Sequence, residues 1–112
     1  MADTPNLSIP IMTSAQSQKH VTFNEAMLRL ELTNQVSVID MTTTAPPASP
    51  TDGDSYIIDA TATGDWAGRE NDIAMWLNGQ WNYATPREGW LIYNQDTANH
   101  QKFNGTAWVL AF

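Results

Sequence analysis

The stretch Trp76-Leu77-Asn78-Gly79-Gln80-Trp81 decides the fold class of this chain, and Phe103-Asn104-Gly105-Thr106-Ala107-Trp108 repeats its pattern. In each stretch an aromatic residue is followed five positions later by a tryptophan, with Asn-Gly between them. Asn-Gly readily adopts the positive φ angles of a type I′ turn, so it strongly indicates a β-hairpin. The C-terminal half is therefore predicted to consist of antiparallel strands.

Short segments rich in β-branched and aromatic residues extend this pattern along the chain. Strands are predicted near 36–41, 55–59, 72–77, 80–84, 89–94, 100–103 and 107–111. Turn residues separate them at short, regular intervals, which is typical of a meander. The predicted fold is mainly β with one N-terminal helix, and the strands form a small antiparallel meander sheet or barrel.

The helix is predicted at about 23–34. Thr22-Phe23-Asn24-Glu25 matches a capping box, in which the threonine hydroxyl and the glutamate cap the first turn. The apolar residues that follow at helical spacing are Phe23, Ala26, Met27 and Leu30. Leu28 and Leu32 lie off this stripe, so the helix is apolar on two faces. Either a partner chain covers one face, or the small domain wraps both.

A proline-rich linker at 45–50 is the predicted boundary within the chain. Residues 1–44 form an N-terminal part, with an extended segment, the helix and a strand, that serves oligomerisation. Prolines exclude a helix at 1–13, whereas the small polar residues at 14–18 could begin a helical turn. Residues 51–112 form the tryptophan-rich antiparallel module.

Composition excludes several classes of partner. The chain has 112 residues and a net charge of −7, with no basic stripe, so nucleic-acid binding through phosphates and attraction to an anionic membrane are not expected. No apolar run reaches membrane-spanning length, and the first residues lack the features of a signal peptide. We expect no membrane insertion and no export by an N-terminal signal.

An enzyme is the weakest hypothesis. The chain has no cysteine, its only histidines are His20 and His100, and no G-x-S-x-G elbow is present. Carboxylates that could form a glycosidase pair are Asp52, Asp54, Asp65, Glu70, Asp72 and Glu88. They fall in or beside turns, where aspartate commonly bonds the backbone. A calcium site is conceivable, but EF-hand spacing is absent. We therefore predict no catalytic residue, no metal site and no cofactor.

Eight aromatic residues crowd the C-terminal part and admit two uses. They are Trp66, Trp76, Trp81, Tyr83, Trp90, Tyr93, Phe103 and Trp108. A thin sheet can use large rings as its core, and we expect this of most of them, including Trp81 and Trp108 beside the Asn-Gly turns. An exposed ring can instead stack against the C–H face of a sugar.

The binding use is assigned to four aromatic residues. Trp66 lies in a polar, glycine-containing loop at 63–68, where a core role is least expected, so it is the best candidate for an exposed platform. Trp90, which follows a Pro-Arg-Glu-Gly turn, is the next candidate. Trp76 and Tyr83 complete the predicted ligand-binding set.

The sequence at 15–26, AQSQKHVTFNEA, resembles the motif Ala-Gln-x-Gln-Lys-His-Val-Thr-x-Asn-Glu-Ala of one family. That family is a domain of unknown function found in structural proteins of tailed bacteriophages and gene transfer agents. Further matching stretches are Thr4-Pro5 with Leu7, 45–50, 53–57, 64–68, 85–90 and 103–108. The chain departs from the family at 8–11, where Leu-Gly-Leu-Pro-Tyr is usual.

The resemblance implies a setting in a virion, since such proteins are similar to fibre, spike or tail components that are commonly trimers. Phe23, Met27 and Leu30 would then meet their copies around a threefold axis. We expect a virion structural protein that contacts other virion proteins and attaches to a host-surface polysaccharide. Two alternatives stay open: a purely structural trimerisation or adaptor domain, and a carbohydrate-binding module of a depolymerase.

Overall fold

The computed structural model describes residues 3–11 and 19–112, with the backbone alone at 19–22. The predicted helical start at 14–18, the first part of the 15–26 motif and the side chain of His20 lie outside the described residues. So do Met1, Ala2, Met12 and Thr13 of the predicted extended segment.

One helix, α1, spans Lys19–Thr33 and confirms the predicted helix. Thr22 lies inside it, so the predicted capping box is wrong: a residue with helical turns on both sides cannot be the N-cap. The amide of Asn34 still donates to the Leu30 carbonyl at 2.9 Å. Gln35 then takes a φ of +49°, and this left-handed residue turns the chain out of the helix.

The strands form two separate sheets. Their bounds are β1 Ser37–Val38, β2 Ser55–Ile57, β3 Ile73–Leu77, β4 Gln80–Ala84, β5 Leu91–Asn94, β6 Asn99–Phe103 and β7 Trp108–Leu110. One sheet has the order β1-β5-β6-β7 and the other β2-β3-β4. The antiparallel prediction is confirmed, apart from β1, which pairs parallel to β5. The strands do not close into the alternative barrel.

The two Asn-Gly stretches both form hairpins, but with different loops. Asn78 and Gly79 have φ of +58° and +72°, as a type I′ turn requires. In the second hairpin Gly105 has a positive φ of +99° and Asn104 does not. The Asn104 side-chain oxygen instead accepts bonds from the amides of Thr106 and Ala107, both at 2.9 Å. The second connection is therefore a longer loop stabilised by an asparagine side chain.

The main hydrophobic core lies between α1 and the two sheets. Its buried members are Leu32, Val36, Val38, Ile57, Ile73, Met75, Leu77, Ala84 and Ile92. They come from both sides of the proline-rich segment 45–50, so the predicted N-terminal part and the tryptophan-rich part contribute to one core cluster. Leu28 packs against this cluster as well. The α1 face with Leu28 and Leu32 is thus the face that packs on the domain.

The segment 3–11 turns back on itself and docks on α1. Asp3 and Pro10 form an isolated antiparallel bridge, and Ser8 has a φ of +56° at the turn. Prolines exclude a helix here, as predicted, but they permit this tight turn in place of a straight extended segment. The buried carboxylate of Glu31 accepts hydrogen bonds from the backbone amides of Asn6 and Leu7. One helical side chain therefore anchors the backbone of this segment to α1.

Candidate functional site

The β2-β3-β4 sheet carries an aromatic layer on the face that points away from the main core. Tyr56 lies opposite Ala74, Ala74 opposite Tyr83, and Trp76 opposite Trp81. Because directly opposed residues share a face of the sheet, these side chains lie together. The rings of Trp76 and Trp81 meet edge to face, with centroids 5.3 Å apart. Trp81 and Tyr83 lie two residues apart on β4, and Ala74 and Trp76 lie two residues apart on β3, so each pair lies on one face of the sheet.

Trp66 lies beneath this layer as a core residue, which contradicts its predicted exposure. It ends a short 3-10 turn, Gly64–Trp66, and its side chain is 0% exposed. Its ring centroid lies 5.6 Å from that of Tyr56 and 5.2 Å from that of Trp81. The polar loop around it is exposed while its one large ring folds inward over Ala74, whose methyl group leaves room for it. Trp66 therefore has no open face on which a ligand could stack.

The other predicted ligand-binding residues separate into two groups. Trp76 and Tyr83 are half-buried and line one concavity, together with Trp81. Trp90 is half-buried elsewhere and packs against the main core cluster, as Trp108 does. The structure thus brings Trp76 and Tyr83 together and leaves Trp90 outside the concavity.

The concavity has a volume of about 540 Å³ and combines aromatic with polar groups. Its lining residues are Asp65, Arg69, Trp76, Gly79, Gln80, Trp81 and Tyr83. The β3-β4 hairpin and the loop around Trp66 both contribute to this lining. Its volume falls in the range of about 300–1,000 Å³ that is typical of small-molecule sites. We call these seven residues the aromatic concavity.

Arg69 contributes the positive charge of the aromatic concavity. Its guanidinium carbon lies 3.9 Å from the centroid of the Tyr83 ring, a close cation–π contact. One terminal nitrogen is 3.7 Å from a carboxylate oxygen of Asp72, an ion-pair distance longer than a hydrogen bond. Burial raises the pKa of the Asp72 carboxyl, and the Arg69 charge acts against that rise. The contacts with Tyr83 and Asp72 thus orient the Arg69 guanidinium.

The pKa of the Tyr83 hydroxyl depends on burial and on the charged groups near it. Burial raises the pKa of Tyr83, Arg69 lowers it, and Asp65 raises it by less than Arg69 lowers it. The buried indole Nε1 of Trp66 has no hydrogen-bond partner among the described residues. Its dipole also acts to lower the pKa of Tyr83, although the two groups are not in hydrogen-bonding geometry. Tyr83 therefore keeps its proton at neutral pH and can donate a hydrogen bond.

Sequence reasoning missed the polar residues of this site. Arg69 precedes Tyr83 by fourteen positions in a loop of small and charged residues, and nothing in its neighbourhood indicates stacking on a ring. Gln80 is the first residue of the predicted strand 80–84, and its sequence neighbours do not indicate a binding role. Asp65 was considered as one carboxylate of a glycosidase pair. A weak signal did exist, since few arginines occur in this acidic chain.

The predicted oligomer face of α1 is open in the structure. Phe23 and Leu30 are 44% and 47% exposed, and Met27 is half-buried. These residues lie on the helix face opposite the one that packs on the core. The structure holds a single chain, so it shows an apolar surface without showing what covers it.

Within residues 3–11 and 19–112, no group of three or more histidine, aspartate or glutamate side chains is placed to hold a metal ion. In the same residues, α1 is neither long nor apolar enough to cross a membrane.

Comparison with known proteins gives a family and no activity. No curated protein matches the chain. The family model described as "Protein of unknown function (DUF2793)" matches residues 23–109, a span that holds most of α1, the strands β1 to β6, all of β7 except Leu110, and the aromatic concavity. This match covers most of the chain, and the protein therefore belongs to the DUF2793 family.

Proposed function

We propose that this chain is a non-enzymatic carbohydrate-binding module of a virion structural protein, and that it acts in attachment to a host surface. The observation that carries the proposal is the aromatic concavity, where Trp76, Trp81 and Tyr83 keep part of their rings open around polar groups. The virion setting is supported by the resemblance of 15–26 and other stretches to phage and gene-transfer-agent structural proteins.

The chemistry of the concavity suits a sugar. An aromatic face is electron-rich and attracts the polarised C–H groups on the apolar face of a pyranose ring. Hydroxyl groups at the ring edge need planar donors and acceptors, which Asp65, Arg69 and Gln80 supply. Edge-to-face packing of Trp76 on Trp81 and of Trp81 on Trp66 holds the rings in place before a ligand arrives. Such preorganisation lowers the entropic cost of binding.

Oligomerisation is the second part of the proposal. A shallow site on one chain binds weakly, and several linked copies multiply the overall affinity. We propose a homotrimer in which Phe23, Met27 and Leu30 pack around a threefold axis, because this stripe of α1 is apolar and open to solvent. Other virion proteins would be further partners.

A glycan array tests the binding part. We expect the full chain to bind at least one saccharide class, and Trp76→Ala to lose that signal while keeping the circular dichroism spectrum of the wild type. Phe112→Ala is the matched control, because Phe112 is 88% exposed and lies outside the aromatic concavity. An array without hits, or equal binding by Trp76→Ala, would refute carbohydrate binding at this site.

Light scattering tests the oligomer. We expect a mass three times the 12.4 kDa of the chain, reduced to that of a monomer by Phe23→Ser with Leu30→Ser. Leu110→Ser, at another exposed leucine, is the control and should leave the trimer intact. A monomeric wild type at micromolar concentration would rule out the helix interface.

The competing candidate is a structural trimerisation or adaptor domain with no ligand. The exposed stripe on α1 favours it, since oligomer assembly alone would explain that surface. A trimeric protein that gives no hit on the array would support this candidate. A depolymerase-associated binding module would show the same sugar binding, and only a linked catalytic domain distinguishes it.

A further inference from the structure

Arg69 occupies a distinctive place in the aromatic concavity. Its side chain is 46% exposed, although its guanidinium carbon stacks 3.9 Å from the Tyr83 ring centroid. It is the cationic residue among the seven that line the concavity. A positive group held at the edge of an aromatic surface is unexpected in a chain of net charge −7.

The Arg69 guanidinium is oriented by contacts with Tyr83 and Asp72, and the side chain remains partly exposed to solvent. The Tyr83 ring centroid lies 3.9 Å from the guanidinium carbon, and a carboxylate oxygen of Asp72 lies 3.7 Å from one terminal nitrogen. An arginine carries five N–H donors in a planar fork, which matches the two oxygens of a carboxylate. Stacking on an aromatic ring fixes this fork, so less conformational entropy is lost when a ligand binds.

Asp65 is the acidic residue among those that line the aromatic concavity, and its charge works against an anionic ligand. Near the Tyr83 hydroxyl, however, the effect of Arg69 exceeds that of Asp65. Asp72 is largely buried on the inner side of Arg69, and its pKa is raised, which weakens its hold on the arginine near acidic pH. Because the Arg69 side chain is 46% exposed and the Asp72 side chain only 10%, the guanidinium of this ion pair is the group that faces solvent.

We propose that Arg69 binds the carboxylate of an acidic sugar, such as a uronic acid unit, whose ring lies on Trp76 and Trp81 in the aromatic concavity. This inference rests on the proposed carbohydrate binding and names the ligand class. In this arrangement the Tyr83 hydroxyl donates to the same ligand, and Asp65 accepts from sugar hydroxyls.

The test uses the full chain and an array of matched pairs: glucose and glucuronate, galactose and galacturonate, mannose and mannuronate oligomers. We expect the carboxylated member of at least one pair to bind more tightly, and its affinity to fall as salt is raised. Reducing that sugar's carboxylate to the alcohol should weaken binding about 10- to 100-fold, the range for loss of a charge-assisted hydrogen-bonded pair.

Two variants separate a ligand contact from a structural role. Arg69→Gln should reduce affinity for the acidic sugar about 10- to 100-fold and leave the weaker binding of its neutral partner unchanged. Arg69→Lys keeps the positive charge but loses the planar fork of donors, so its affinity for the acidic sugar should lie between those of the wild type and of Arg69→Gln. Arg87→Gln makes the same change of net charge at an exposed arginine outside the concavity and should have no effect.

The outcomes distinguish this inference from the function beneath it. If neutral sugars bind as well as acidic ones, or if Arg69→Gln weakens both classes equally, the assignment of Arg69 is wrong and carbohydrate binding stands. If no saccharide of either class binds, the proposed function fails and this inference fails with it.

Discussion

Replacing Trp66 by alanine should destabilise the fold strongly, because this ring is core and not a binding platform. Burial of a tryptophan side chain removes roughly 150–250 Å² of surface from water. At roughly 25 cal/mol per Å², this burial stabilises the fold by about 4–6 kcal/mol. Trp66 is 0% exposed and contacts the rings of Tyr56 and Trp81, so most of that term applies. Removing its unpartnered N–H offsets part of the loss, about 1–3 kcal/mol. We expect Trp66→Ala to cost about 3 kcal/mol.

Trp66→Phe separates the ring from its N–H group. Phenylalanine keeps most of the ring contacts and has no donor to bury, so the free energy of unfolding should change by less than about 1 kcal/mol. Trp76→Ala is the comparison on the same aromatic layer. It should cost less than Trp66→Ala, since the Trp76 ring already meets solvent.

Urea unfolding followed by circular dichroism measures these differences, because tryptophan fluorescence itself changes with the substitutions. The dependence of the unfolding free energy on urea should stay constant across the variants. A loss below about 1 kcal/mol for Trp66→Ala would refute the core assignment on the scale expected for buried tryptophans. An equal loss for Trp66→Phe and Trp66→Ala would show that the N–H group makes a bond that matters.

Three further predictions concern the docked N-terminal segment, the turns and the dependence on pH. In Glu31→Gln one of the two backbone amides that donate to the carboxylate would face the side-chain NH2 group, which is itself a donor. We therefore expect the free energy of unfolding to fall by about 1–3 kcal/mol and amide hydrogen exchange in 3–11 to become faster. Unchanged exchange would contradict the anchoring role of Glu31. Gly53→Ala should cost more than Gly79→Ala. Both glycines have a positive φ (+93° and +72°), which costs an alanine about 1–2 kcal/mol of folding free energy at either position. Only at Gly53 would the new methyl group also lie 3.1 Å from a proline ring, so equal losses of stability in the two variants would contradict this packing. Asp72 has a pKa raised by burial, so its stabilising contribution is present below the unfolded pKa near 3.8 and is lost as pH rises through the folded value. Asp72→Asn should therefore unfold at higher urea than the wild type at pH 7, with the difference vanishing near pH 3; a pH-independent difference would show that the titration of this carboxyl is not the cause.

The local elements were largely predictable, because short-range chemistry determines them. Asn-Gly turns define the two hairpins, and period-two patterns define strands whose observed bounds lie within two residues of the predicted ones, except that β1 ends three residues early, at Val38. Helical spacing located α1 and its two apolar faces. The errors occurred where local signals compete. Thr22 lies within a helix that is already formed at Lys19, and the Asn104 side chain replaces the backbone geometry expected of a two-residue turn.

Side-chain burial around the aromatic concavity could not be predicted in the same way. Trp66 was expected outside because its neighbours are polar, yet those neighbours stay in solvent while its ring fills the space above Ala74. Arg69 was unassigned because its partner Tyr83 lies on another element. Exposure depends on which elements pack together, and sequence neighbours carry little information about that.

The sequence by itself determined the class of this protein: an acidic, mainly β chain with one two-faced helix and a C-terminal part rich in aromatic residues. Propensity and periodicity act over a few residues, so one chain suffices to read them. Only the tertiary structure decided which aromatic rings are core and which line the concavity, and that Arg69 stands beside them. Those facts depend on the register of β2, β3 and β4 and on the loop that folds over them, where contacts join residues far apart in sequence.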